Sequence, residues 1–215
     1  MFALSKQDLN KRILGCGDGP ASFNAELSKQ GGSVVSVDPL YACDVDAISK
    51  RIDETFEEVM RQTLENQDEF VWDQIPSVER LGEIRTAAMR DFLSDYPIGR
   101  ASERYLPESA PFLSLQDDSF DLALCSHFLF LYSSHLDLQF HIDSISELCR
   151  VSREVRIFPL LQLGSTISPH VGSVIEKLQA DGYEVSRVRV DYEFQRGGNE
   201  MLQIRRAEQV NGDSA

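Results

Sequence analysis

Apolar and polar positions change period several times along the chain, and each change marks an element. Ser5 with Asp8 predicts a cap for a short N-terminal helix, and "RIL" at 12–14 predicts a first strand running straight into a glycine-rich stretch. Pro20 suits the first turn of a helix that carries Phe23 and Leu27, with Gly31 and Gly32 as its stop. "SVVSVD" then predicts a second strand ending at Asp38. Strand, glycine turn, helix and strand in this order begin a doubly wound α/β domain.

The next stretch breaks the alternation. Val45, Ile48, Ile52, Phe56 and Val59 recur at helical spacing, as do Val78, Leu81, Ile84, Ala88 and Phe92, which predicts two amphipathic helices joined by "ENQDEFVWDQIP". Strands are predicted again at "ERYL", at "FDLALCSH" and at "EVRIFPLL". Between and after them, Leu138, Ile142, Ile145 and Leu148 mark one helix, and Val174, Ile175 and Leu178 mark another that stops at Gly182. Val188, Val190, Tyr192 and Phe194 alternate with polar residues, "QRGGN" turns, and Leu202 and Ile204 alternate again, predicting a C-terminal hairpin. The segments form one domain over 1–208, with a helical insertion at about 43–100 and a flexible tail at 209–215.

Composition narrows what such a domain does. With 215 residues, 42% of them hydrophobic, the chain can bury a full core. Its net charge of -14 excludes a broad nucleic-acid footprint, which needs a basic face. The start "MFALSKQDLN" lacks a signal-peptide pattern and no apolar run is long enough to span a bilayer, so a cytoplasmic protein without membrane contact is expected. Cys16, Cys43, Cys125 and Cys149 form no CxxC pair and are expected as reduced, mostly buried thiols. No histidine pair has ligand spacing with a cysteine or carboxylate, so no metal is expected.

The glycines carry the chemistry. Gly15, Gly17 and Gly19 follow the first strand at alternate positions, and Asp38 ends the next strand nineteen residues after Gly19. Glycine after a strand lets the backbone turn sharply and approach a ligand, and an acid at the tip of the next strand can accept both hydroxyls of a ribose. Asp38 also stands directly before Pro39, where its carboxylate could instead cap a turn. A dinucleotide fingerprint does not fit, because G-x-G-x-x-G from Gly15 would need glycine where Pro20 stands and one from Gly17 would need it at Ser22, so a nicotinamide-dependent oxidoreductase is the weaker third option.

With Asp38 after it, "ILGCGDG" resembles the first motif of the class I S-adenosylmethionine-dependent methyltransferases, and "DDSFDLALCSH", "ELCRV" and the terminal hairpin follow in that family's order. The resemblance implies a Rossmann-like fold with a seven-stranded, mostly parallel sheet, a C-terminal antiparallel hairpin and, here, a helical insertion after the second strand. It implies S-adenosylmethionine as cofactor, with Gly15, Gly17 and Gly19 under its methionine and ribose portions and Asp38 on the ribose hydroxyls. Ser109 and Ala110 stand where the family usually shows an acid near the adenine, and Ile13 where many members show Asp. Ser126 and His127 would lie beside the methionine tail and the acceptor, with His127 as the catalytic base. The implied reaction is methyl transfer to a small-molecule acceptor, and a non-catalytic cofactor-binding protein of the same fold is the alternative.

The remaining candidates have structural roles to weigh against. His127 could be a hydrogen-bonded packing residue, His135 and His141 belong to a helix, and His170 suits either substrate contact or a helix start. The carboxylates of "RIDETFEEVM" suit a solvated helix face. Phe56 and Phe92 are expected to pack, whereas Phe70 and Trp72 fit no periodic face. An insertion after the second strand lies beside the cofactor's edge of the sheet, where a lid and an oligomer interface are the two open roles.

Overall fold

Strands β1 (Arg12–Cys16), β2 (Ser33–Val37), β3 (Tyr105–Leu106), β4 (Leu122–Ser126) and β5 (Glu154–Phe158) run parallel. A pair, β8 (Tyr183–Arg189) and β9 (Glu200–Arg206), adds antiparallel strands, giving the order β3-β2-β1-β4-β5-β9-β8. This is the Rossmann-like methyltransferase fold that the motifs imply, in a computed structural model that describes residues 1–207. The tail expected over 209–215 lies outside the described residues.

The interior strands are buried on both sides, which is why they appear as continuous apolar runs. Along β1, Leu14 and Cys16 face one core and Ile13 faces the other. The first core is closed by α4 (Leu138–Val151) and α5 (Val171–Ala180) through Ile145, Leu148, Val174 and Leu178. The second is closed by α1 (Phe23–Lys29) and by the N-terminal segment with Phe2. A third, smaller cluster of Tyr41, Ile48, Phe92, Tyr96 and Tyr105 fastens the insertion to the β3 side of the sheet.

A buried ion cluster pins the N-terminal segment toward the amino edge of the sheet. Arg156, 5% exposed, donates to Glu154 (2.6 Å), to Asp8 (3.3 Å) and to the Phe2 carbonyl (2.9 Å). Lys11 adds a bond to Asp8 (2.5 Å) and Arg205 an ion pair with Glu154 (3.2 Å).

Several local expectations are corrected. Ser5 and Asp8 do bond each other reciprocally, but the element they introduce is a single 3-10 turn, Asp8–Asn10. Pro20 stands three residues before α1 and outside its first turn. The first hairpin strand is Tyr183–Arg189, so Val190, Tyr192 and Phe194 lie in the connection to β9. A two-stranded ribbon, β6 (Leu161–Gln162) with β7 (Thr166–Ile167), was not expected. Cys43 is exposed, whereas Cys16, Cys125 and Cys149 are buried, and all four are free thiols.

The insertion consists of α2 (Val45–Glu65) and α3 (Val78–Ala101), capped by Asp44 and Ser77. On α3 the buried stripe differs from the one expected: Leu81, Phe92 and Tyr96 are buried, but Ile84 is 39% exposed. Positions 85 and 89 share the helix face of 81, 92 and 96, with Arg85 exposed and Met89 half-buried. Among the described residues no helix is long and apolar enough to cross a membrane.

Candidate active site

The loop after β1 is shaped by glycine for two different reasons. Gly17 (φ 71°) and Gly19 (φ 54°) adopt the left-handed region that glycine enters without strain. At Gly15 and Gly17 the missing side chain makes room for the chain itself. A Cβ at Gly15 would stand 1.9 Å from the Asp18 carboxylate, and one at Gly17 would stand 2.9 Å from the Phe128 ring. Nothing lies within 4 Å of where a Cβ would stand at Gly19, so the open cradle is at the third glycine and not along the whole loop.

Asp18 is a site residue that the motif alone does not single out. Ser36 donates to its carboxylate at 2.6 Å. Burial pushes its pKa up to about 6, Ser36 works against that rise, and the nearby charge of Asp38 adds to it. Its signal was an acidic residue within the glycine run itself.

Asp38 ties the glycine loop to the tip of β2. The Gly19 N–H donates to one carboxylate oxygen (2.9 Å) and the Leu40 N–H to the other (2.8 Å), while the Tyr41 hydroxyl donates to the Gly19 carbonyl (2.8 Å). Asp38 therefore does cap the turn at Pro39–Ala42. Each carboxylate oxygen still has a lone pair beyond these bonds, so capping and ligand binding are compatible.

At the end of β4, Ser126 Oγ lies 2.8 Å from Nδ1 of His127. His127 has a left-handed backbone (φ 52°), donates its N–H to the Phe158 carbonyl at 2.7 Å, and sets its ring 5.6 Å from that of Phe158. The residue is exposed, yet the protein crowded around its ring lowers its pKa to about 4, helped by repulsion from Arg85 and from the chain's amino group. The imidazole is therefore neutral at pH 7.

The other predicted residues separate. Ser109 is exposed, and its carbonyl accepts the Phe112 N–H (3.1 Å). Ala110 is 3% exposed within the first core, which leaves it only backbone groups to offer a ligand. His141 is fully buried with its ring nitrogens 2.7 Å and 3.0 Å from the Asp137 and Leu129 carbonyls, and His170 packs against it, 3.2 Å from the Leu136 carbonyl. Both are structural, and His170 makes no side-chain cap for α5.

The insertion crosses the carboxyl edge of the sheet. The 21 residues of α2 extend about 31 Å, more than the four strand spacings from β2 to β9, about 19 Å. Its tip reaches the connection between β8 and β9. There the Val71 N–H donates to the Phe194 carbonyl (2.7 Å), and the Arg196 guanidinium donates to the Asp68 (3.1 Å) and Phe70 (3.0 Å) carbonyls. Phe70 stacks on Phe194 with centroids 4.9 Å apart, and Trp72 meets Phe194 edge-on at 5.4 Å. These contacts explain the two aromatics that fitted no periodic face. Under the helices lies a cavity of about 230 Å³, walled by Pro20, Leu40, Ile52, Phe56, Arg85 and Met89 among others. Phe56, expected in the core, lines this space. A larger concavity of about 660 Å³ lies at the opposite edge, where Lys11, Asp121, Arg153, Glu184 and Arg205 form a charged, open surface.

Comparison with known proteins adds a relative across almost the whole chain. The uncharacterized protein MJ0045 of Methanocaldococcus jannaschii is 33% identical over 209 residues, covering 96% of this chain and 90% of that protein. The chain belongs to the family of that protein. No family model matches it. Among solved structures it is similar to magnesium protoporphyrin IX methyltransferase from Synechocystis PCC 6803 with bound S-adenosylmethionine, at 12% identity and TM-score 0.46 over 94% of this chain and 73% of that one. It is similar also to a SAM-dependent methyltransferase from Methanosarcina mazei, at 15% identity and TM-score 0.47 over 94% of each chain. Similarities of this size transfer no residue role and no substrate.

Proposed function

We propose that the chain is an S-adenosylmethionine-dependent methyltransferase acting on a small-molecule acceptor in the cytoplasm. The observation that carries this reading is the unit formed by Gly19 and Asp38: an open cradle and a partly solvated carboxylate, fixed to each other at the carboxyl edge of β1 and β2. Asp38 would accept the ribose hydroxyls with its remaining lone pairs, Gly15 and Gly17 would keep the loop's shape, and Gly19 would lie against the cofactor. The cofactor supplies an electrophilic methyl group on a sulfonium, whose positive charge suits a site where Asp18 and Asp38 repel each other. Ser126 and the Ser109 hydroxyl would provide polar contacts, and Ala110 its backbone.

Methyl transfer by in-line displacement forms one bond from the acceptor's lone pair and breaks the sulfur–carbon bond, with the electron pair returning to sulfur. Positioning alone can contribute about 7–11 kcal/mol to such a step. Where the acceptor atom carries a proton, His127 takes it: in the tautomer with hydrogen on Nδ1 toward Ser126, the Nε2 lone pair is free. The cavity under α2 and α3 supports a small acceptor over a polymer.

Calorimetric titration with S-adenosylmethionine and with NAD tests the reading, followed by release of S-adenosylhomocysteine with a panel of small acceptors. Binding of S-adenosylmethionine alone supports it, and preference for NAD overturns it. The low pKa of His127 favours one second reading, a cofactor-binding protein without turnover, because a base of that strength is poorly matched to neutral pH. Tight cofactor binding with no product across the panel would select that reading.

A further inference from the structure

The cavity under the insertion departs from the charge balance of the chain. The sequence holds 35 acidic and 21 basic residues, yet the cavity is lined by Arg51 and Arg85 and by no acidic side chain. Arg51 has one loose contact, 3.7 Å to Glu54, with both side chains largely in solvent. Arg85 has no ion pair or hydrogen bond among the described residues. It stands one turn after Leu81 and one turn before Met89, on the face of α3 turned toward the sheet. Its charge reaches Tyr132 and His127, so the cavity and the end of β4 share this guanidinium. Arg85 is itself exposed, and its guanidinium adjoins open space with apolar walls and no counter-charge, where an anionic ligand can answer it.

We infer that the methyl acceptor is an apolar small molecule carrying a carboxylate or similar anionic group, with Arg85 as its counter-charge and Phe56, Ile52 and Met89 around its hydrocarbon body. The inference rests on the methyltransferase reading and names the substrate class of that site. Arg85 presents a planar fork that matches a carboxylate, and Arg51 offers a second donor at the rim.

The test is calorimetry with 2-naphthoate and its uncharged analogue 2-naphthamide, which share one hydrocarbon body. The wild-type protein should bind the naphthoate at least roughly tenfold more tightly, the ratio expected of one charge-assisted contact. Arg85→Leu, which keeps the apolar stem, should erase that preference with naphthamide binding unchanged, and Arg85→Lys should retain part of it. Equal affinity for the two ligands, binding of neither, or a preference that survives Arg85→Leu overturns the inference. Titration of Arg85→Leu with S-adenosylmethionine separates the two sources of a carboxylate. Unchanged cofactor affinity supports the acceptor, whereas a loss there assigns Arg85 to the cofactor's own carboxylate and overturns the proposal. Failure of the wild-type protein to bind S-adenosylmethionine would reject the methyltransferase reading, a result separate from the naphthoate preference.

Discussion

The two edges of the sheet treat charge in opposite ways. Toward the amino edge, Asp8 and Glu154 are buried but answered by Lys11, Arg156 and Arg205. Burial alone would raise the Asp8 pKa, yet the bonds from Lys11 and Ser5 and the charge of Arg156 hold it well below the usual carboxylate range. At the carboxyl edge, Asp18 has only a hydroxyl donor and a second carboxylate nearby, and Arg85 has no acid. Matched charges lock the fold at one edge. Unmatched charges at the other are stability given up where a ligand can answer them.

The largest effect expected from breaking this contrast is at the matched edge. Arg156→Ala leaves the buried Glu154 without its main partner and Asp8 with Lys11 alone as its counter-charge, and should lower stability by about 3–5 kcal/mol, read by urea unfolding, with S-adenosylmethionine affinity of the folded protein unchanged. A comparable loss of affinity would mean that the edges are not independent.

At the other edge, His127→Ala should lower kcat by about a hundredfold, the low end for a general base, and leave cofactor affinity intact. Because the His127 pKa is lowered to about 4, the wild-type rate should show no histidine titration between roughly pH 5 and 8. The same shift sets the sign for stability. The unfolded chain binds a proton that the folded one refuses, so this residue makes stability rise with pH from about 4 to 6.5 and plateau above. A rate inflection near pH 6.5 would show an unperturbed imidazole.

Asp38→Ala should weaken S-adenosylmethionine binding at least roughly tenfold. Since Asp38 also holds the Gly19 and Leu40 amides, the apo protein should lose about 1 kcal/mol as well. Retained affinity in the less stable mutant would leave Asp38 as a cap alone.

The smallest effect has the opposite sign. Asp18→Asn removes a half-buried charge and should stabilise the apo protein at pH 7 by about 1 kcal/mol, because the amide must still be desolvated. Its pKa is raised from 3.8 to about 6, so the gain should be absent below about pH 4, grow as the wild-type carboxyl ionises, and be complete above about pH 6. A mutant less stable than wild type at pH 7 would contradict the unmatched charge.

Local period and turn chemistry were what the sequence disclosed. The strands of the parallel sheet are short apolar runs bounded by turn signals, and α2 and α4 carry clear helical stripes, so all were legible. The β8 strand was misplaced because alternation continues through Tyr192 and Phe194, whose rings pack on Phe158 and on Phe70 rather than within a ladder. In the site, Asp38 could be found from its place after the glycines. The fillings of Gly15 by Asp18 and of Gly17 by Phe128 could not, because they depend on how the loop closes. Arg85 was hidden by a stripe assigned through Ile84, one residue out of phase with the buried face of α3.

The clasp of Arg196 on the carbonyls at 68 and 70 changes what kind of object the roof is. A helical pair rooted only beside β2 would be a cantilever, free to swing about its base. Held also at its far end, it is a beam on two supports, and a beam opens by bowing or by slipping off one of them. The second support belongs to the β8–β9 connection, more than a hundred residues further along the chain. Traffic under the roof is thereby linked to a hairpin that makes no hydrogen bond to the glycine loop or to Asp38 among the described residues, and a substitution at Arg196 should alter how fast ligands come and go before it alters how tightly they are held.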